Sequence, residues 1–408
     1  MNFSYGKSLA DKQKVAFDRT DCYEHTPNMM IFGQAGTGKT WAVVNEIQQV
    51  LDNTEDDVII LNAEGFCARD ERIKSKIVCI APFEPDSKWH INPLDIHGYE
   101  VYEADKGKRI FEGVKAVAVN LIEEIIKRPT VSYERVIIHD ACDRTFKPFL
   151  ERLERTGEQS NSERNPTLSD IAEELVCNSA ALRDNEQLWK SLKDVIKKNR
   201  NENNKVMADS VTLYLDELFS RQAYNDLHRD IVAKLPFIKE YFSYKTNMPA
   251  DRAIQLSWRE VEVESACNLA CLYYVWNRLV CNHQNDYRKH LWIYQENADT
   301  VFSRATPLPT ILGEIYRRCR PYGGIMTLVS QSVADVIRGT DGRVCFDNTS
   351  TFLVFGLCSE DARIMLQISG FGTNIAERRE NMMCVKNSIT GIGTLYREHN
   401  WTPVTFRE

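Results

Sequence analysis

The sequence has no long apolar run and no leader-like start. No stretch approaches the roughly 20 consecutive apolar residues that a membrane-spanning helix needs. Residues 1–11 are polar and lack the apolar centre of a secretory signal. These absences exclude a transmembrane helix as the sequence stands. They predict a cytoplasmic protein whose contact with a membrane, if it has one, goes through partners.

An excess of positive charge is also missing. The chain has 51 lysines and arginines against 58 aspartates and glutamates, for a formal net charge of −7. A free-standing nucleic-acid-binding domain is usually basic, so the balance argues against that class. One basic cluster, at residues 197–200, reads either as a solvated helix face or as a local DNA contact. DNA contact therefore stays open.

Paired metal-ligand cysteines are absent as well. The twelve cysteines include no Cys-x-x-Cys pair. Cys267 and Cys271 are four apart in a helical stretch and can share one face, but no second pair of ligands follows. The pattern predicts buried, reduced thiols in a cytosolic protein and no zinc site.

Short apolar runs alternating with helical stretches are present, and they indicate a parallel α/β sheet with crossover connections. Helical spacing dominates the middle of the chain, so we divide it into three parts. Residues 1–96 begin the core, 97–249 form a helical insertion with a polar loop at 157–166, and 250–408 complete the core. Strands are expected at 28–32, 58–61, 77–80, 253–256, 291–294, 325–329 and 352–355, with two short strands within 391–406.

A glycine-rich loop follows the first of these strands. Residues 33–40 read Gly-Gln-Ala-Gly-Thr-Gly-Lys-Thr, the Walker A pattern, with a helix expected after it. Inward N–H groups of the loop and the helix N-terminus favour a polyphosphate. Lys39 is expected to reach the β- and γ-phosphates, and Thr40 to offer its hydroxyl to Mg²⁺. The sequence thus predicts an ATP and Mg²⁺ site formed by Gly33, Gln34, Ala35, Gly36, Thr37, Gly38, Lys39, Thr40 and Trp41.

A P-loop enzyme also needs acidic groups at the end of a neighbouring strand, where an aspartate orders the metal shell and a glutamate polarises water. The best candidate is the strand at 291–294, followed by Gln295 and Glu296. Glu296 is the predicted general base. Gln295 stands at the aspartate position, and its amide oxygen brings no negative charge. We therefore expect Gln295 to contact the metal at most indirectly, through water.

Polar residues also end the next predicted strand, at Ser330 and Gln331. A polar side chain here can sense the γ-phosphate and couple hydrolysis to movement. Gln331 therefore joins Glu296 and Lys39 as a catalytic candidate. The alternative is a strand-end cap.

Several further blocks give the chain a family likeness. Residues 32–40, 90–96 (His-Ile-Asn-Pro-Leu-Asp-Ile), 291–302 and 318–325 (Arg-Cys-Arg-Pro-Tyr-Gly-Gly-Ile), with 327 and 330–331, resemble the conjugative-transfer ATPases of type IV secretion systems. The blocks at 132–135 and 166–170 in the helical insertion look similar too. The likeness is to the C-terminal motor domain and covers nearly the whole chain.

The resemblance implies an α/β fold with a RecA-like P-loop NTPase core of the FtsK–HerA type and a helical insertion subdomain. It implies an ATPase that assembles as a homo-hexamer at the cytoplasmic base of a secretion channel, with the channel proteins as its partners at the inner face of the cell membrane. Such a motor energises channel or pilus assembly or the transfer of DNA or protein. In such rings arginines of one subunit reach the neighbour's nucleotide. Arg318, Arg320 and Arg363 fall in or near the family's arginine-rich blocks, although each can instead pair with a surface carboxylate.

Three departures from the family pattern leave alternatives open. The family's Asp-Glu is Gln295-Glu296 here, and its Asp-Pro-x-Glu after the second strand is Asn62 followed by Ala-Glu-Gly. The resemblance begins at the family's motor domain, so we expect the family's N-terminal domain to be missing from this sequence, and a fragment of a longer protein stays one alternative. The first hypothesis is an ATP-hydrolysing secretion motor. The others are a hydrolysis-impaired nucleotide-binding structural subunit and a related DNA translocase outside secretion.

Overall fold

The computed structural model divides the chain into two compact units. Unit 1 comprises Met1–Pro82 and Pro249–Glu408, and unit 2 comprises Phe83–Met248. The described residues are 2–20, 26–62, 69–95, 104–156, 165–184, 210–258, 263–285, 289–302, 306–368, 377, 379–380, 383–384, 390–397 and 400–406. The basic cluster at 197–200, most of the loop expected at 157–166, and residues 63–65 after the second core strand lie outside them.

Within the described part of unit 1, eleven strands form one sheet in the order β2-β1-β11-β10-β9-β3-β8-β7-β4-β6-β5. The seven strands from β9 to β5 in this order run parallel, and the other four pair antiparallel at one side. The strands are β1 Phe3–Ser8, β2 Lys14–Phe17, β3 Met29–Phe32, β4 Asp57–Leu61, β5 Val78–Ile80, β6 Ala253–Leu256, β7 Leu291–Gln295, β8 Gly324–Ser330, β9 Thr351–Val354, β10 Ile392–Arg397 and β11 Asn400–Thr405.

The expected parallel strands and the strand pair near the end of the chain are confirmed. Every residue of β3, β4, β7 and β8 is buried. Continuous burial explains why these strands read as unbroken apolar runs, since crossover helices cover both faces of a parallel sheet.

The sequence pattern did not predict β1 and β2. In β1 the side chains of Phe3 and Tyr5 are buried and alternate with more exposed positions, which is ordinary strand geometry. Two apolar residues are too few for a periodicity signal. The strand forms because it pairs with β2 and with β11, a partner almost 400 residues away.

Both units contain helices. Unit 1 contains α1 Lys39–Asn53, α6 Glu264–Asn285, α7 Ala298–Phe302, α8 Pro307–Arg318, α9 Val333–Arg338, α10 Thr340–Asp347 and α11 Ser359–Ile368. Unit 2 contains α2 Ala104–Ile126, α3 Ser132–Thr156, α4 Leu168–Asp184 and α5 Ser210–Tyr241. Among the described residues, no helix has the length and apolar character needed to cross a membrane.

In unit 2, residues of the blocks at 90–96 and 166–170 make hydrogen bonds that hold the local structure. Asp170 accepts from the backbone N–H of Thr167 at 2.7 Å while its own N–H donates to the Thr167 hydroxyl at 3.3 Å, a reciprocal cap at the start of α4. The Asn92 amide donates to the Pro166 carbonyl at 3.2 Å. Residues 83–96 group with these helices. The functional domain limits at 96 and 249 stay predictions.

A buried polar cluster fixes α1 against the sheet, and we call it the α1 network. It consists of Tyr5, Arg19, Glu46, Tyr294 and Thr327. Arg19 donates to both Glu46 oxygens at 2.8 and 2.9 Å and to the Thr327 hydroxyl at 2.9 Å. The Tyr294 hydroxyl donates to Glu46 at 3.0 Å, and the Tyr5 hydroxyl donates to the same carboxylate. The network therefore joins β1, α1, β7 and β8.

Candidate active site

The glycine-rich loop lies between β3 and α1, at the carboxyl edge of the parallel strands. β3 is the central strand between β8 and β9, so the loop emerges where three strands end together. The loop is held to its neighbours by hydrogen bonds from Gly33 N to Ser330 O at 3.2 Å, from Gln34 N to Gly356 O at 2.7 Å and from Gly391 N to Thr37 O at 3.0 Å.

Gly38 shows why this loop needs glycine. Its φ of 116° lies in the left-handed region, and a Cβ there would stand 3.2 Å from the backbone nitrogen of Gly391. Helix α1 begins at the next residue, Lys39, and Gly38 provides no side-chain cap. The first backbone N–H groups of a helix have no partner within it, so they are available to a phosphate.

Lys39 lies folded against its own loop. Its Nζ donates to the carbonyl oxygens of Gly33 at 2.6 Å and Gln34 at 3.0 Å. Burial lowers the pKa of Lys39, and the charges of Asp299 and Glu296 oppose that shift. Asp299 and Glu296 are thus the carboxylates whose charges act on Lys39, and the catalytic roles of Lys39 and Glu296 stay predictions.

Glu296 follows β7 directly and is buried. Its backbone N–H donates to the Leu61 carbonyl at 3.0 Å, so β4 and β7 end side by side. The Asn62 amide at the end of β4 donates to the Glu296 carboxylate. Asn62 was noted in the sequence only as a departure. The structure gives it a direct contact with the candidate base.

Gln295 directly precedes Glu296, and of its two amide atoms only Nε2 has a hydrogen-bond partner among the described residues. Its Nε2 donates to the Glu296 carbonyl at 2.8 Å. Its Oε1 is buried and has no hydrogen-bond partner among the described residues. A buried acceptor without a partner is costly, so this oxygen is suited to a donor that comes with a ligand, such as a metal-bound water.

Asp299, in the short helix α7, was not predicted from the sequence. Its Oδ1 accepts from the Ser330 hydroxyl at 3.1 Å and from the backbone N–H of Gln331 at 3.2 Å. Its sequence signal is weak. Asp299 stands three residues after Glu296, but the left-handed Asn297 lies between them and the helix begins only at Ala298, so the two carboxylates do not share a helix face. The Gln331 side chain itself is exposed, and its role as a sensor stays a prediction.

A magnesium ion fits this edge only as part of a nucleotide complex. Within the described ranges, no group of three histidine, cysteine, aspartate or glutamate residues could hold a metal alone. Mg²⁺ at such sites keeps waters and takes substrate phosphates with few protein ligands. The exposed Thr40 at the start of α1 and the unpaired Oε1 of Gln295 meet that modest requirement.

Trp41 is 41% exposed on the first turn of α1. Its ring lies edge-on to Phe406 at 5.4 Å between centroids, and the Arg72 guanidinium lies 4.7 Å from the ring centre. The indole is thus part of the surface next to the loop. Its assignment to the nucleotide stays a prediction.

The arginines predicted to act between subunits lie at two places. Arg318 and Arg320 are exposed just before β8 begins, whereas Ser330 at the other end of β8 reaches the loop. A seven-residue strand spans about 20 Å, which separates them from the loop of their own chain. Arg363, on α11, lies 3.2 Å from Glu380. Arg318 lies 3.6 Å from Glu314.

Known proteins share this fold, although no protein-family model and no curated protein sequence matches the chain. The structure of VirB4 of Thermoanaerobacter pseudethanolicus matches with a TM-score of 0.69 at 15% identity, covering 100% of this chain and 96% of that one. The bacterial conjugative coupling protein TrwB, in complex with sulphate, matches at 0.58 with 12% identity over 93% and 84%. TrwB with the ATP analogue ADPNP matches at 0.58 with 12% identity over 93% and 86%.

These matches confirm the fold expected from the sequence resemblance. The chain has the RecA-like P-loop fold of the VirB4 and TrwB structures, an α/β sheet with a helical insertion.

Proposed function

We propose that this chain is the ATP-hydrolysing motor subunit of a conjugative, type IV secretion system. The observation that carries the proposal is that the loop with Lys39 follows the end of β3, Glu296 follows the end of β7, and Asp299 accepts from Ser330 at the end of β8, all at one edge of the sheet. This edge belongs to a fold shared with VirB4 over almost the whole of both chains. Hydrolysis would drive channel assembly or substrate transfer.

The glycine-rich loop binds the triphosphate through its backbone. The N–H groups at the start of α1 and the Lys39 ammonium neutralise the β- and γ-phosphates. Phosphate contacts of this kind do not depend on the base, and TrwB is known in complex with both ADPNP and GDPNP. We propose ATP as the natural nucleotide of this chain.

Glu296 acts as the general base toward the attacking water. Burial and the Asn62 amide hold its carboxylate at the end of β7, next to the loop. Mg²⁺ would be bound by the Thr40 hydroxyl, with Gln295 contacting its water shell, and it would neutralise charge on the phosphates. A structure of TrwB with ADP and Mg²⁺ shows a metal and nucleotide together in this fold.

Assembly into a ring, with a hexamer as the proposed form, completes the site. Arg318 and Arg320 are exposed and far along β8 from their own loop, so only a neighbouring subunit could bring them to a nucleotide. Channel proteins at the inner face of the cell membrane are the proposed partners, and DNA or protein is the proposed cargo.

A second candidate function is a nucleotide-binding subunit that hydrolyses slowly or not at all. Gln295 and Asn62 favour it, because they place two neutral amides beside Glu296 where the related family has carboxylates. In that case the protein would act through nucleotide-dependent assembly. Turnover of the natural protein at an ordinary motor rate would contradict this second candidate.

A subunit-mixing experiment tests the proposed motor. The Lys39→Ala variant keeps Arg318 and Arg320 but lacks the lysine of the loop. The Arg318→Ala/Arg320→Ala variant keeps an intact loop but lacks the two arginines. Each alone should release little phosphate from Mg²⁺-ATP. Mixed rings should recover part of the rate, because some interfaces join an intact loop to intact arginines. Full activity of the arginine variant alone would remove the inter-subunit role, and no Mg²⁺-dependent phosphate release by the oligomeric natural protein would refute the ATPase.

A further inference from the structure

At the active-site edge, the end of β7 carries a neutral side chain, Gln295, and a carboxylate, Asp299, follows shortly after it in α7. Position 295 carries a glutamine, so no carboxylate stands immediately before Glu296. Asn297 has φ of 53° in the left-handed region, which turns the chain from β7 into α7. Helix α7 then buries Ala298, Val301 and Phe302. Asp299, on the same helix, remains part-exposed and faces the end of β8.

Asp299 is connected to the glycine-rich loop through β8. Strands β7 and β8 are neighbours, and Gln295 pairs in register with Leu328, two residues before Ser330. The Ser330 hydroxyl donates to Asp299, while the Ser330 carbonyl accepts from the N–H of Gly33. One residue therefore joins the carboxylate to the first glycine of the loop.

The unpaired Oε1 of Gln295 is an independent sign of a ligand here. It is an acceptor on a side chain that is 99% buried, since only 1% of the residue is exposed, and no described group donates to it. An amide can order a metal-bound water by accepting from it, but it cannot balance the charge of a dication. A second carboxylate near the loop, beside Glu296, would supply the negative charge that the amide of Gln295 does not bring.

We propose that Asp299 supplies the carboxylate charge that position 295 lacks, as a positioning residue for the Mg²⁺-nucleotide complex. The inference rests on the proposed function. Gln295 orders water and Asp299 provides charge, so two residues share the task that one aspartate would perform alone. The hydrogen bonds to Ser330 and Gln331 also fix the end of β8 relative to that charge. The pair Gln295 and Asp299 then explains how a glutamine is tolerated next to the general base.

The test separates charge from shape. Asp299→Asn keeps an oxygen that can accept from Ser330 and Gln331 but removes the charge. Asp251→Asn is the matched control, because Asp251 is an exposed carboxylate just before β6, at the opposite end of the parallel strands. Binding of a fluorescent ATP analogue is titrated with Mg²⁺ for the natural protein, for both single variants, and for Gln295→Asp/Asp299→Asn.

Asp299→Asn should weaken the apparent Mg²⁺ affinity of the nucleotide complex about tenfold, a usual effect for a residue that supports a metal site indirectly. Asp251→Asn should leave it unchanged, and the double variant should recover it. Equal behaviour of the two single variants, or no recovery in the double variant, would overturn the proposal. Failure of the natural protein to bind the analogue at all would instead remove the proposed function, and this inference with it.

Gln295→Asp alone covers the case in which Asp299→Asn does not fold, as judged by circular dichroism. With Asp299 already in place, the extra aspartate should tighten Mg²⁺ binding by less than about threefold, because the two positions are coupled. A gain of about tenfold or more would show that the charge was missing and would overturn the proposal.

Discussion

Two polar regions include a residue of helix α1, and they differ in how completely their groups are paired. The α1 network includes Glu46 of this helix and is closed to solvent. The second region is the nucleotide edge, which we define as Lys39, Gln295, Glu296 and Asp299. In the α1 network one carboxylate meets three donors with direct hydrogen bonds. At the nucleotide edge no described residue pairs with the Oε1 of Gln295, and Lys39 donates to two carbonyl groups of its own loop.

The electrostatics follow the same division. Burial opposes the charge on Arg19, but Glu46 beside it raises the pKa of Arg19 above its usual value. Burial, reinforced by the Glu46 charge, also raises the pKa of Tyr5 and Tyr294 well above 10, so both phenols stay protonated and donate. At the nucleotide edge burial lowers the pKa of Lys39 instead. A phosphate bound beside Lys39 would oppose this shift, because a neighbouring negative charge favours the charged form of a lysine.

The degree of pairing distinguishes a region that serves stability from one that serves chemistry. A buried network whose polar groups all have hydrogen-bond partners holds its helices and strands in one arrangement. Polar groups without such partners at the edge of the sheet are suited to binding a ligand. Substitutions in the two regions should therefore have different effects. Changes at the nucleotide edge should alter turnover and leave folding alone, and changes in the α1 network should do the reverse.

The largest effect is expected for Glu296→Gln. Removing the base should lower the rate of phosphate release by about 10²–10⁴-fold, since that is the usual contribution of general base catalysis. Binding of ATP should persist, because the loop and Lys39 are unchanged. Steady-state kinetics and nucleotide binding by the same preparation check this. A variant that hydrolyses as fast as the natural protein would remove Glu296 from its assigned role.

Glu46→Ala should act mainly on folding. It leaves the buried Arg19 charge without its carboxylate, which should lower the free energy of unfolding by about 3–5 kcal/mol. Urea unfolding followed by circular dichroism measures the loss, and the KM for ATP of the protein that remains folded should change little. The control is Arg19→Met/Glu46→Leu, which removes both charges and should destabilise less than the single variant. The comparison fails if the double variant is the worse of the two.

Asn62→Ala should have the smallest effect of the three. It removes the amide that donates to Glu296 without changing the charge of the nucleotide edge. Because the carboxylate is then less well oriented, kcat should fall about tenfold while KM stays similar. Asn62→Ser, which can still donate, is the control and should lose less. Equal kcat for all three proteins would show that orientation by Asn62 is unimportant.

The parts of the fold that could be predicted from the sequence are those whose pattern lies in consecutive residues. The Walker A loop is contiguous, and buried parallel strands are continuous apolar runs such as 291–294 and 325–329. Strand β1 was missed because its stability comes from a pairing with β11 that no local pattern reveals.

The candidate site was predictable to a similar extent. Lys39 and Glu296 follow from motifs, but Asp299 was missed because its importance depends on α7 turning back toward β8. The α1 network was invisible for the same reason. Arg19 meets Glu46 and Thr327, which are 27 and 308 residues away, so only the folded sheet brings them together.

The most direct test of the ATP-hydrolysing motor is phosphate release from Mg²⁺-ATP measured alongside mass by light scattering, with and without nucleotide. The natural protein should form a ring-sized oligomer and hydrolyse ATP, and Lys39→Ala should lose about 10²–10³-fold in rate, as expected for one donor to a transferring phosphoryl group. An oligomer of the natural protein that releases no more phosphate than Lys39→Ala would contradict the account.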